Sequence, residues 1–302
     1  MRKPDHDRSI HRVLVILDVT SDHAAALEAA TAVAVRLDVP LVVLFAENEQ
    51  LDVLEHHPLV RAIDLPTGTM RMLTPGTMRR GWRALVRRTQ RQLAHLSQRH
   101  QIEVGFELVR GDVTAQLGER IRGADLLVIE STGRNITRHV RVEPRGRFLV
   151  RKMSIPVLFV GAKAGRLQSI ALLYNRSNEA QRGLEMALRM GAERPIMLTV
   201  ILASNMRQDV RALEQWVTKR ARESGSSIRL HIRRITCCET SELLSVASHI
   251  HADLVIVPAA KTYPGDRDVQ RLTRRLDCPL LVLRGDRDEG DQVVSHKAAV
   301  EG

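Results

Sequence analysis

Residues 124–160 read ADLLVIESTGRNITRHVRVEPRGRFLVRKMSIPVLFV, and the fold is decided by this stretch. An apolar run, Leu126–Ile129, opens it and a second, Ile155–Val160, closes it. Between them lies an arginine-rich connection ending in a helical pattern. The same plan returns at 252–283, ADLVIVPAAKTYPGDRDVQRLTRRLDCPLLVL. There Ala252-Asp253-Leu254 echoes Ala124-Asp125-Leu126, and Cys278-Pro279-Leu280-Leu281 echoes Ile155-Pro156-Val157-Leu158. Self-similarity of this length means two copies of one folding unit. Apolar runs without alternation suit strands buried on both faces of a parallel sheet. In such sheets ligands sit beyond the carboxyl ends of the strands, at the switch point.

Working outward, copy one starts with the strand Val13–Leu17, then Asp18 and a helix over AAALEAATAVAVRL with Ser21 or Asp22 as cap. Val39–Phe45 reads as the second strand. Residues 47–78 break the rhythm with Pro58, Pro66, Gly68, Pro75 and Gly76, an excursion given a short helix at 50–63. Helical spacing resumes with Trp82, Leu85, Val86, Thr89, Leu93 and Leu96 on one face, and Arg79, Arg80, Arg83, Arg87, Arg88 and Arg91 crowd the rest. A strand at 103–109 and a helix from Asp112 to about Arg122 lead into the deciding stretch. Copy two repeats the series: a strand at 170–173, a helix capped by Ser177 or Asn178, strands at 196–202 and 228–235, helices at 206–223 and 240–250, then the echo. The expected domains are 1–161, with the insertion at 47–78, and 167–285, followed by a polar tail at 286–302 expected to be disordered.

Composition bounds the partners. The 302 residues suffice for two domains of ordinary size. A hydrophobic fraction of 44% with 27% charged residues is that of a soluble globular chain. No apolar run approaches the roughly 18 residues of a membrane span. The opening MRKPDHDRSIHR lacks a signal peptide's apolar centre, so the expected location is cytoplasmic. Cys237, Cys238 and Cys278 form no disulfide framework and no metal-ligand spacing. Lys and Arg outnumber Asp and Glu by 46 to 35, a charge of +11 that attracts phosphate-bearing partners. Aromatic residues at 3% leave few stacking platforms, and no zinc-finger or zipper spacing appears, which weighs against nucleic acid as the partner.

Five strands with alternating helices, twice, resemble the universal stress protein family in its tandem, two-domain form. The most telling residues are the first strand ending in Asp18, the run ADLLVIE, and the closing RKMSIPVLFV. The resemblance implies an α/β fold of two doubly wound domains, each an open parallel five-stranded sheet of order 3-2-1-4-5 with helices on both faces. It implies pairing of domains through their last strands, which a tandem chain can satisfy internally; a homodimer is the further option. Nucleotide-binding members carry an aspartate after the first strand for the adenine. After the fourth strand they carry Gly-x-x-Gly and then Gly-Ser or Gly-Thr, whose backbone N–H groups cradle phosphate.

Both copies depart from that pattern. In copy one Asp18 and Gly133 match, but Ile136 replaces the second glycine, Glu143-Pro144 occupies the Gly-Ser position, and Gly146 is out of register. Arg134, Arg138, Arg141, Arg145 and Arg147 surround that loop, and guanidinium forks bind phosphate well. The candidate binding residues are therefore Asp18, Gly133, Arg134, Arg138, Arg145, Gly146 and Arg147. In copy two Tyr174 replaces the aspartate and Asp266-Arg267 the Gly-Ser. The leading expectation is a stress-response protein that binds a protein partner or signal without catalysis, no cofactor being certain. The alternatives are ATP binding or weak hydrolysis in copy one, and polyanion or nucleic-acid binding through the arginine-rich surfaces.

Overall fold

The structure, a computed structural model, describes residues 10–17, 24–47, 61–63, 69–72, 77–110, 120, 125–130, 155–161, 167–203, 210–223, 228–235, 240–259 and 265–285. The chain divides into two compact units, whose described residues run from Ile10 to Glu130 and from Ile155 to Gly285.

The first unit contains β1 (Val13–Leu17), α1 (Ala24–Leu37), β2 (Leu41–Glu47), β3 (Arg61–Ile63), β4 (Met70–Met72), α2 (Thr77–His100), β5 (Val104–Arg110) and β6 (Leu126–Glu130). Its sheet runs β5-β2-β1-β6, all parallel, with Val13 opposite Leu41 on one side and Leu126 on the other. These are the third, second, first and fourth strands of the copy. The helix α1 is rich in alanine, and Ala26, Ala29, Ala30, Val33, Ala34 and Leu37 are buried where it packs on β1, β2 and β6. It stops at Asp38, which adopts a left-handed conformation (φ 53°), after which Val39 N–H closes back on the Ala34 carbonyl. Within the excursion, β3 and β4 pair antiparallel. The helix expected at 50–63 is therefore wrong over 61–63; three-residue pairing partners leave too short a pattern to separate strand from helix, and 50–60 lie outside the described residues.

The second unit contains β7 (Val157–Val160), β8 (Ser169–Tyr174), α3 (Asn178–Met190), β9 (Ile196–Ala203), α4 (Val210–Glu223), β10 (Ile228–Ile235), α5 (Thr240–His249), β11 (Leu254–Ala259), α6 (Asp266–Arg275) and β12 (Leu280–Arg284). Its strands lie in the order β10-β9-β8-β11-β12-β7, and only the β12–β7 pair is antiparallel. The first five are copy two in the order 3-2-1-4-5. The sixth, β7, is the last strand of copy one in sequence, set against the last strand of copy two.

Helices cover both faces of this sheet. Ala171, Leu173, Val255, Val257, Leu280 and Val282 pack with Leu243 and Ala247 of α5 and Val269 and Leu272 of α6. The intervening Leu172, Ile256 and Leu283 meet α3 on the other side, where Gly183 lets the helix approach. A methyl there would stand 2.9 Å from Leu283 Cδ1 and 3.0 Å from Leu172 Cδ1. Each fully buried Val, Leu or Ile of these strands contributes roughly 1.5–3 kcal/mol, so the doubly covered strands hold the core.

The repeated Ala-Asp-Leu acquires a physical meaning here. Asp125 and Asp253 stand just before β6 and β11, and each ties the start of its copy's fourth strand to the start of the first. Arg12 donates from Nε and Nη2 to the Asp125 carboxylate at 2.8 and 2.6 Å, and Nη2 also donates to the Arg120 carbonyl. In copy two the backbone N–H groups of Gln168 and Ser169 donate to Asp253 at 2.8 and 3.1 Å. These clamps lie at the amino ends of the strands, away from the carboxyl ends.

Candidate functional site

In the first unit β1 is flanked by β2, reached next in the chain, and by β6, reached last. The switch point therefore falls between the carboxyl ends of β1 and β6, after Leu17 and Glu130. The chain leaving β1 begins with Asp18, and the chain leaving β6 carries Gly133, Arg134, Arg138, Arg145, Gly146 and Arg147. The two segments thus depart from neighbouring strand ends. The seven candidate residues themselves, with Arg141, lie outside the described residues. Beside this edge the buried Phe45 of β2 meets Trp82 of α2 edge-on, ring centres 6.4 Å apart, and Phe106 of β5 at 6.2 Å. The Trp82 Nε1–H is buried and finds no acceptor among the described residues.

Copy two closes the equivalent edge with its own side chains. Tyr174 ends β8 where copy one has Asp18. It is 1% exposed, and its ring lies 5.8 Å from that of Trp216 on α4, tilted by 36°. Burial pushes its hydroxyl pKa up to about 12, against the opposing influence of Arg176 and of a hydrogen bond with Gln181. A group that prefers to stay neutral, stacked on an indole, cannot stand in for an adenine-binding carboxylate. The start of α3 is self-capped: Ser177 Oγ accepts from Ala180 N–H at 3.1 Å.

The start of α6 is occupied as well. Asp268 accepts from the Gly265 N–H at 3.1 Å and from the Thr240 hydroxyl at 3.0 Å. A phosphate placed there would face that carboxylate, and two like charges 4 Å apart repel by roughly 4 kcal/mol at an effective dielectric of 20.

No protein-family model matches this sequence, and no curated protein matches it. Solved structures do. A universal stress protein from Archaeoglobus fulgidus DSM 4304 superposes with a TM-score of 0.61 at 15% identity, covering 90% of this chain and 98% of that one. A putative universal stress protein from Pseudomonas aeruginosa UCBPP-PA14 gives 0.54 at 16% identity, covering 91% and 94%. A protein of unknown function from Pseudomonas aeruginosa PAO1 gives 0.53 at 17%, covering 92% and 94%. The chain has the universal stress protein fold.

Two contacts of this universal stress protein fold escaped the sequence reading. Tyr174 was legible as a replacement for aspartate, but its partner Trp216 sits on a later helix at no fixed spacing. Asp268 lies two residues past the acidic replacement at 266, and the Thr240 contact that fixes it is tertiary.

Chemistry elsewhere is sparse. Among the described residues no group of histidine, cysteine or carboxylate side chains could hold a metal ion. Burial pushes the half-buried Cys278 thiol up to about 12, so it stays protonated and poorly nucleophilic at neutral pH. Cys237 and Cys238 lie outside the described residues. No helix among the described residues is long and apolar enough to cross a membrane.

Proposed function

We propose that this chain is a tandem universal stress protein that acts in stress response by binding a partner or signal, not by catalysis. Copy two serves as its structural half. The observation that supports this reading is the filled edge of copy two, where Tyr174 packs on Trp216 at the strand end matching Asp18 and Asp268 caps the start of α6. The antiparallel β12–β7 pair fits the same reading, because it joins the last strands of the two copies within one chain. On this view a nucleotide has at most one place to bind, in copy one.

A second reading keeps ATP in copy one, with Asp18, Gly133 and the loop arginines as its site. The adjacency of the β1 and β6 ends supports it, as does the buried Trp82 donor beside that edge. Native mass spectrometry of the full chain in millimolar ATP separates the two. The first reading expects no retained nucleotide. One nucleotide per chain, lost in Asp18→Ala and kept in Tyr174→Phe, would replace it with the second. Two nucleotides per chain would overturn both.

A further inference from the structure

The helix α2 carries a charge pattern that neither reading uses. Its 24 residues, TMRRGWRALVRRTQRQLAHLSQRH, contain no aspartate or glutamate. Val86, Thr89 and Leu93 are buried toward the core. Arg80, Arg83, Arg87 and Arg91 recur three or four residues apart and are exposed on the opposite side, with Arg88 beside them. None of the five forms an ion pair among the described residues. A solvated face needs no such excess, as copy two demonstrates. Its second helix, α4, pairs Lys219 with Glu223 at 3.8 Å and Arg220 with Glu185 at 3.1 Å. The fold therefore tolerates a balanced helix at this place, and copy one instead concentrates guanidinium groups with no carboxylate partner among the described residues.

We propose that the Arg80–Arg91 face of α2 binds the phosphate backbone of a nucleic-acid duplex without reading its sequence. The stripe rises about 17 Å along the helix axis, over which a duplex presents roughly five phosphates per strand. All five cations are arginines, whose planar forks suit phosphate oxygens. The occupant follows from what the face lacks. Among the described residues the large exposed hydrophobic side chains are Met70, Leu108 and Trp216, none of them on α2. Among the described side chains of this helix a membrane surface would find no large exposed apolar anchor, and a single strand would find no exposed ring to stack on. A rigid backbone of regularly spaced phosphates uses the arginines alone.

The test is fluorescence anisotropy of the full chain with a labelled duplex DNA of about 20 base pairs, titrated between 50 and 200 mM salt. Four neutralised phosphates give a log–log slope of about −4 and a loss of affinity of roughly 100-fold across that range. The variant Arg83→Gln/Arg87→Gln/Arg88→Gln/Arg91→Gln should lose at least 3 from the slope and most of the affinity. An Arg229→Gln/Arg233→Gln variant on β10 should match the parent. Circular dichroism and tryptophan fluorescence check that each variant is folded. A parent slope shallower than −2, or a quadruple variant that binds like the parent, overturns the assignment. So does equal or tighter binding of one strand of the same DNA, of inorganic polyphosphate, or of vesicles containing phosphatidylserine.

Discussion

Replacing Asp125 by asparagine tests whether the Ala-Asp-Leu clamp stabilises the first unit. The carboxylate is 4% exposed and accepts two hydrogen bonds from a guanidinium that is 28% exposed. Asparagine keeps the shape, but it carries no charge and turns an amide N–H₂ toward one of the Arg12 donors. Removing one partner of a fully buried ion pair costs about 3–5 kcal/mol, and a charge-assisted hydrogen bond contributes about 1.5–3 kcal/mol. Arg12 is not stranded, since it is partly exposed and keeps the Arg120 carbonyl. The expected loss is therefore near the lower end, about 2 kcal/mol. The chain has two tryptophans, Trp82 in the first unit and Trp216 in the second. In a Trp216→Phe background, urea unfolding followed by fluorescence reports the first unit alone. With a urea dependence of about 2 kcal/mol per molar, the midpoint should fall by about 1 M. Adding Arg12→Gln completes a double-mutant cycle with an expected coupling of about 2 kcal/mol. A midpoint shift under about 0.25 M, or effects that simply add, would refute the clamp.

Two further outcomes follow from the second unit. In Tyr263→Phe, which leaves Tyr174 as the single tyrosine, absorbance at 295 nm should report a phenol that ionises at about 12, not at its ordinary value near 10. Because the folded pKa is raised, the folded state holds its proton where the unfolded chain has lost it. That stabilisation is complete below pH 10 and disappears as pH rises through 12, and a native-state midpoint near 10 would contradict it. Gly183→Ala should cost about 1 kcal/mol net, since crowding Leu172 and Leu283 by 1–3 kcal/mol outweighs roughly 1 kcal/mol of gained helix propensity. A rise in the thermal midpoint would mean that those leucines can turn away freely.

What could be read from the sequence was local and periodic. Val13–Leu17 announced a doubly covered strand by unbroken apolar residues, and AAALEAATAVAVRL matches the limits of α1 residue for residue. The apolar run Val39–Phe45 begins two residues before the strand Leu41–Glu47, because Asp38 turns left-handed and Val39 and Pro40 are spent leaving the helix. Contacts between distant parts were invisible. Arg12 and Asp125 are 113 positions apart, and nothing in either residue type names the other. The echo at Asp253 was the one available signal that position 125 mattered, and it said nothing of the partner. The nucleotide candidates of copy one rest on their sequence positions and on the neighbouring strand ends that lead into them.

The two copies differ in the same direction at the end of the first strand and along the second helix. At the end of the first strand copy two buries a tyrosine against a tryptophan, while copy one continues into an aspartate. Along the second helix copy two pairs Lys219 and Arg220 with glutamates, while copy one aligns arginines that repel one another. Each like-charged pair at three- or four-residue spacing costs about 0.2–0.5 kcal/mol in a helix. Natural selection does not retain such repulsion for stability, whereas binding an anion would turn it into attraction. A filled strand edge and a charge-balanced second helix in copy two, set against the arginine face of α2 in copy one, let one fold serve two ends. This division makes a specific demand on copy two: substitutions that disturb its edge, such as Tyr174→Ala, should lower stability without weakening duplex binding by α2, whose arginines belong to the other unit.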